Sequence, residues 1–146
     1  MTVPDAQVDS GAMLKGEPKK TDGECYDLFQ AGFKVMQSSA WFEAAELFRR
    51  SQVLKPYTGT VAREGECLLE AGEHLKALIC FEVAFGYDRK FYRAICLKAR
   101  ALIGLGRLAE ADDALALAKR LNPEGRLADE VRHLLGPVPR AKKRRR

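Results

Sequence analysis

The 146-residue chain contains no apolar run near the roughly 18 residues that cross a bilayer, which excludes a helical membrane span. Its first twenty residues, MTVPDAQVDSGAMLKGEPKK, hold no apolar stretch of the kind that directs secretion, so a cytoplasmic location is expected. Histidine is scarce: only His74 and His133 occur, far apart. The four cysteines, Cys25, Cys67, Cys80 and Cys96, form no CxxC pair. Zinc needs Cys and His clustered at short spacing, so no metal site is expected. The cysteines read instead as reduced, small apolar residues inside helices. No cofactor is indicated. Catalytic signatures are missing as well: there is no GxSxG, no phosphate-loop glycine–lysine motif, no HExxH, and no GxGxxG behind a strand. Gly104-x-Gly106 joins two predicted helices and is therefore a turn. Asp112 and Asp113 are helix neighbours that point apart. The chain is read as a non-enzyme.

What is present begins with an uneven charge. The net charge is +5, but residues 137–146 alone carry six cations, Arg140, Lys142, Lys143, Arg144, Arg145 and Arg146. Residues 1–136 are therefore nearly neutral, at −1, and the basicity is a tail. A hydrophobic content of 47% and a charged content of 31% allow one globular domain at this length. Residues 1–23 carry Pro4, Gly11, Gly16, Pro18 and Gly23 with no period and are expected to be disordered. Asp22 is expected to cap the first helix.

The stretch from Leu28 to Pro56 sets a ladder that the rest of the chain repeats. Gly32, Ala44, Phe48 and Pro56 lie 12, 16 and 24 residues apart from the first rung. Gly65, Ala77 and Phe81 keep the same offsets, and so do Ala99, Ala111, Leu115 and Pro123. The ladder restarts after 33 and then 34 residues, the period of a helix–turn–helix solenoid. Two antiparallel helices approach closely only where facing residues are small. Gly32 with Ala44, Gly65 with Ala77, and Ala99 with Ala111 supply those contacts. Phe48, Phe81 and Leu115 are the large side chains between repeats. About three such units are needed for stability, and the chain has three.

These rungs resemble the small, small, aromatic and proline positions of the tetratricopeptide repeat, with Ala84 and Ala118 as further matches, over roughly residues 25–125. The early Trp and Tyr of the motif are Leu28 and Val35 in repeat one, and the closing proline of repeat two is Arg89. The resemblance implies an all-α solenoid at 24–136, with repeats near 25–58, 58–91 and 92–125. An amphipathic helix at 124–135 is expected to cap it, and a disordered basic tail follows at 137–146. Predicted helices cover Glu24–Gln37, Trp41–Leu54, Thr60–Glu70, His74–Phe85, Phe91–Ile103 and Leu108–Leu121, with Gly86 as a C-cap.

The resemblance also implies a concave surface lined by the first helix of each repeat. The expected peptide-binding residues are Tyr26, Phe29, Phe33 and Met36 in repeat one, Leu69 in repeat two, and Arg93 and Arg100 in repeat three. Tyr26, Phe29, Phe33 and Met36 form a second apolar face opposite Leu28, Ala31, Gly32 and Val35, more than one neighbouring helix covers. With Glu66 and Glu70 between, the groove is expected to be aromatic at one end, acidic in the middle and basic at the other. An apolar or amphipathic peptide of another protein suits it. Cover by the N-terminal segment or by a second copy, a homodimer, is the competing expectation.

Some tetratricopeptide co-chaperones grip acidic chaperone tails with a Lys and an Asn at positions that are Phe29 and Phe33 here, which disfavours that role. The layout is similar to the small type III secretion chaperones, which hold apolar segments of translocator or needle subunits. The alternative reading is an adaptor whose Lys/Arg tail tethers it to nucleic acid or carries it to the nucleus.

Overall fold

The computed structural model describes residues 12–137. Expectations for residues 1–11 and 138–146, the basic tail included, lie outside the described residues. Among the described residues seven α-helices follow one another: α1 (Glu24–Met36), α2 (Trp41–Leu54), α3 (Thr58–Glu70), α4 (His74–Tyr87), α5 (Tyr92–Gly104), α6 (Leu108–Leu121) and α7 (Arg126–Leu135). A 3₁₀ turn at Lys20–Asp22 precedes them. Each helix packs on the next, so the chain is the expected all-α solenoid of three helix pairs with a terminal helix.

The glycines of the ladder do sit at close approaches, but what they meet first is the large side chain of their own repeat, where Ala44 and Ala77 were expected and the rings were expected between repeats. A Cβ on Gly32 would lie 2.7 Å from the Phe48 ring, and one on Gly65 would lie 2.8 Å from the Phe81 ring. In repeat three the glycine is Ala99 and the ring is Leu115, both fully buried. The smaller wedge leaves room for the methyl group. The hairpin turns share one geometry. Ser39, Gly72 and Gly106 take positive φ values of 61°, 87° and 77° at equivalent places. At Gly72 and Gly106 the helix ends in the left-handed closure that glycine adopts at least cost. The next residue returns its N–H to a carbonyl near the helix end, Glu73 to Leu68 at 2.8 Å and Arg107 to Leu102 at 2.9 Å.

Helix α7 lays Ala128, Val131 and Leu135 against α5 and α6. The Tyr92 hydroxyl accepts from Ala128 N–H at 2.9 Å. The outer face of α7 is mostly polar, Leu134 apart, with Lys119–Asp129 at 2.9 Å and a further pair between Arg132 and Asp112. This is the arrangement a terminal repeat needs to meet water.

Several expectations need correction. Helix α4 continues through Gly86 to Tyr87, so that glycine is not a C-cap. Helix α3 starts at Thr58, two residues earlier than the pattern suggested, because its first amides find acceptors in the N-terminal segment. Thr58 N–H donates to Leu14 C=O at 2.8 Å, and Gly59 N–H to Gly16 C=O at 2.8 Å. Leu14 N–H donates to Pro56 C=O at 3.0 Å, completing a parallel bridge between Leu14 and Tyr57. Residues 13–22 are thus ordered, contrary to the disorder expected of them: Met13 packs on the core and Pro18 is buried.

Asp22 does not cap α1, whose N-cap residue is Gly23 with no side-chain cap bond. It turns instead to the linker between repeats. Its carboxylate accepts from Lys19 N–H at 2.7 Å, Lys55 Nζ at 2.8 Å and the Tyr57 hydroxyl at 2.8 Å. The Lys55 hydrogen bond first, then the Lys19 amide and Tyr57, hold its pKa at about 2 instead of an ordinary 3.8. A depressed carboxylate stabilises the fold above its ordinary pKa and stops doing so as pH falls through the folded value. Asp22→Asn should therefore lower the urea midpoint at pH 7, and the gap from the parent should close between pH 4 and pH 2. An equal gap at both ends of that range would refute this lock.

Candidate functional site: the concave face of the first helices

Helices α1, α3 and α5 line one side of the solenoid. Of the residues expected there, Tyr26, Phe33, Met36, Arg93 and Arg100 are partly exposed. Phe29 and Leu69 are not: they are 3% and 4% exposed and belong to the core. The reason lies at Phe48. With only Gly32 in front of it, its ring reaches through to α1, and Phe29 and Phe33 close around it. The three ring centroids sit 5.1 to 5.9 Å apart in edge-on contacts. Such aromatic contacts add to the burial itself. The second apolar face of α1 is thus half consumed by the core, and Tyr26, Phe33 and Met36 remain at the surface.

The charges of the face also differ from the expected sequence of separate patches. The Arg63 guanidinium lies 4.6 Å above the Phe33 ring centre. It pairs with Glu66 at 3.2 Å and with Glu17 at 3.6 Å. Glu66 pairs onward with Arg93 at 2.7 Å, and Glu70 with Arg100 at 3.2 Å. The acids of repeat two therefore neutralise the bases of repeat three. Partly exposed pairs of this kind are worth about 0–1 kcal/mol each, so they order the face more than they stabilise the fold. Arg63 was missed in the sequence because nothing local places it over Phe33, which lies on a different helix.

The other side of the solenoid carries apolar residues that the ladder did not flag. Leu75, Ile79 and Val83 are 57%, 55% and 40% exposed along α4, and Phe42 of α2 is 60% exposed. A depression of about 420 Å³ beside Phe42 and Ile79 is lined also by Arg49, Glu64, Leu68, Lys76 and Cys80. The signal was legible: HLKALICFEVAFGY is apolar nearly all round, which one packed face does not require.

Burial raises the Cys67 and Cys80 thiols to about 12 and Cys96 to about 11, so these sulfurs are neutral thiols. Among the described residues no group of three metal-ligating side chains is gathered, and no helix is long and apolar enough to cross a membrane. The tail reading rests on Arg140, Lys142, Lys143, Arg144, Arg145 and Arg146, all outside the described residues.

No protein-family model matches the chain. No curated protein matches its sequence either. Solved structures do match its shape. The tetratricopeptide domain of Arabidopsis OM64 superposes with a TM-score of 0.74 at 18% identity, covering 78% of this chain and 95% of that one. PcrH, solved with the chaperone binding region of PopD, gives 0.69 at 23% identity, with coverages of 84% and 94%. The Yersinia enterocolitica type III secretion chaperone SycD, solved with a peptide of the translocator YopD, gives 0.65 at 24% identity, with coverages of 75% and 84%. The chain therefore has the fold of a tetratricopeptide-repeat domain, the fold also used by type III secretion chaperones.

Proposed function

We propose that this chain is a non-catalytic peptide-binding module, and more specifically a chaperone that holds an apolar segment of a client protein on its concave face. The observation that carries the reading is the partly exposed apolar row Tyr26, Phe33 and Met36 on α1, bordered by the paired row Arg63–Glu66–Arg93. Each apolar anchor buried by a client would contribute about 1.5–3 kcal/mol before ordering costs. The paired row adds polar groups that can orient an extended main chain. The likeness in fold to SycD and PcrH, each solved with a peptide of another protein, supports the secretion-chaperone version.

A photo-cross-linking amino acid placed singly at Met36 or at Ile79 of the full chain tests this in the source cell. Adducts with one client segment are expected from Met36, and at least tenfold fewer from Ile79. Adducts from Ile79 alone would overturn the reading and move the binding surface to the stripe on α4.

A further inference from the structure

Part of the concave face is already occupied, by the chain itself. Gly59 stands one repeat after Tyr26 and one before Arg93, at a position whose equivalents face the groove. Over it lies the segment Met13–Glu17, which bends at Lys15 and Gly16. A Cβ on Gly59 would meet the Gly16 carbonyl oxygen and the Glu17 side chain, each at 2.6 Å. The segment is held mainly through its backbone: Leu14 and Gly16 carbonyls accept from Thr58 and Gly59, Leu14 N–H donates to Pro56, and Gly16 N–H donates to Thr58 Oγ1 at 3.1 Å. Its side-chain contacts are Met13 against the core and the Glu17 carboxylate toward Arg63.

We infer that Met13–Glu17 is a built-in ligand of the concave face, which a client displaces and whose own pattern describes the client. The inference rests on the proposed client-binding role. Main-chain bonds of this kind accept any extended peptide, as in other strand-like recognition. Selection falls to the side chains. The site takes a bulky apolar residue three positions before a glycine–carboxylate pair; Leu14, next to it, is 44% exposed and contributes through its backbone. Met13 packs on the core, the glycine supplies the positive φ of 100° at this bend, and the carboxylate meets Arg63. The Glu17 contact is the loosest of the Arg63 ion pairs, at 3.6 Å against 3.2 Å for Glu66, and Glu17 is 47% exposed. It is the contact that exchanges most readily. A tethered competitor acts at an effective concentration in the millimolar range, so it lowers apparent affinity for any free peptide.

The test uses the full chain and a fluorescein-labelled synthetic peptide of residues 12–18, AMLKGEP. Gly16→Pro releases the segment, because Gly16 sits at φ 100° where proline cannot go. The released chain should bind the peptide at least tenfold tighter than the parent by fluorescence anisotropy. Replacing the glutamate of the peptide by lysine, or adding Arg63→Glu to the released chain, should remove most of that gain. Glu17→Arg is a second release variant, expected to give a several-fold gain, and it decides the matter if Gly16→Pro loses its helical circular dichroism. Equal or absent binding by parent and folded release variants overturns the inference. Peptide binding with no Met36 adducts sinks the client role instead, and Met36 adducts without peptide binding sink only the built-in ligand.

Discussion

Phe48→Ala should cost about 3–5 kcal/mol of folding stability, a large part of the 5–15 kcal/mol of an ordinary domain. Phe48 is fully buried and touches Phe29 and Phe33 of α1. It lies over the bare backbone at Gly32, so its removal leaves a void that helices α1 and α2 cannot close without moving as units. In a solenoid of three repeats there is no spare neighbour to absorb the loss. Phe33→Ala is the control. Its ring is half-buried and partly covered by Arg63, so a cost of about 1–2 kcal/mol is expected. Urea denaturation of both variants measures the difference. Equal costs would mean that Phe33 is as much a core residue as Phe48, and the concave cluster would lose its central member. Phe29 is the wrong residue with which to probe binding, because at 3% exposure its truncation reports on folding.

Gly65→Ala should also destabilise, although alanine is the better helix former by about 1 kcal/mol. The new methyl group would meet the Phe81 ring at 2.8 Å and Cys80 Cβ at 2.9 Å. Cys80 Cβ is fixed to its backbone and cannot swing away. Overpacking of this kind costs about 1–3 kcal/mol, more than the propensity returns. Repeat three shows how the clash is relieved, since Ala99 there faces Leu115. Phe81→Leu alone should cost about 1 kcal/mol. The double variant Gly65→Ala with Phe81→Leu should be more stable than the sum of the single effects by about 0.5–3 kcal/mol, the range for residues in contact. Thermal and urea midpoints of the four chains give that coupling directly. Strict additivity would mean that glycine and ring are independent, and that the repeat ladder reflects something other than their fit.

The concave face follows the same reasoning at its edges. Phe29 and Phe33 are four residues apart on α1, yet one is core and the other half surface. Spacing places both on one side of the helix. It does not say how far a ring from the next helix will reach between them, and that reach is set by Gly32. Leu69, expected at the surface of the groove, likewise belongs to the core, at 4% exposed. The charge pattern was readable as composition along each helix, but not as pairing. Glu66 and Arg93 are 27 residues apart, and only the stacking of α3 on α5 puts them at 2.7 Å.

The period of 33 and 34 residues was sufficient for the architecture. Small residues and large wedges recur at fixed offsets, and a chain that repeats such a unit can bury its apolar surface only by stacking the copies. Helices α2 and α6 begin and end where the local pattern puts them, because the tight turns at Ser39 and Gly106 that precede them are encoded within a few residues. The N-terminal segment is the opposite case. AMLKGEPKK has no period and no strand partner nearby in sequence, so nothing local predicts order. Its order comes from Thr58 and Gly59, more than 40 residues away, whose helix-start amides need acceptors. The lock of Asp22 on Lys55 and Tyr57 is long-range in the same way. Local chemistry fixed the repeats; what lies across them was decided where distant segments met.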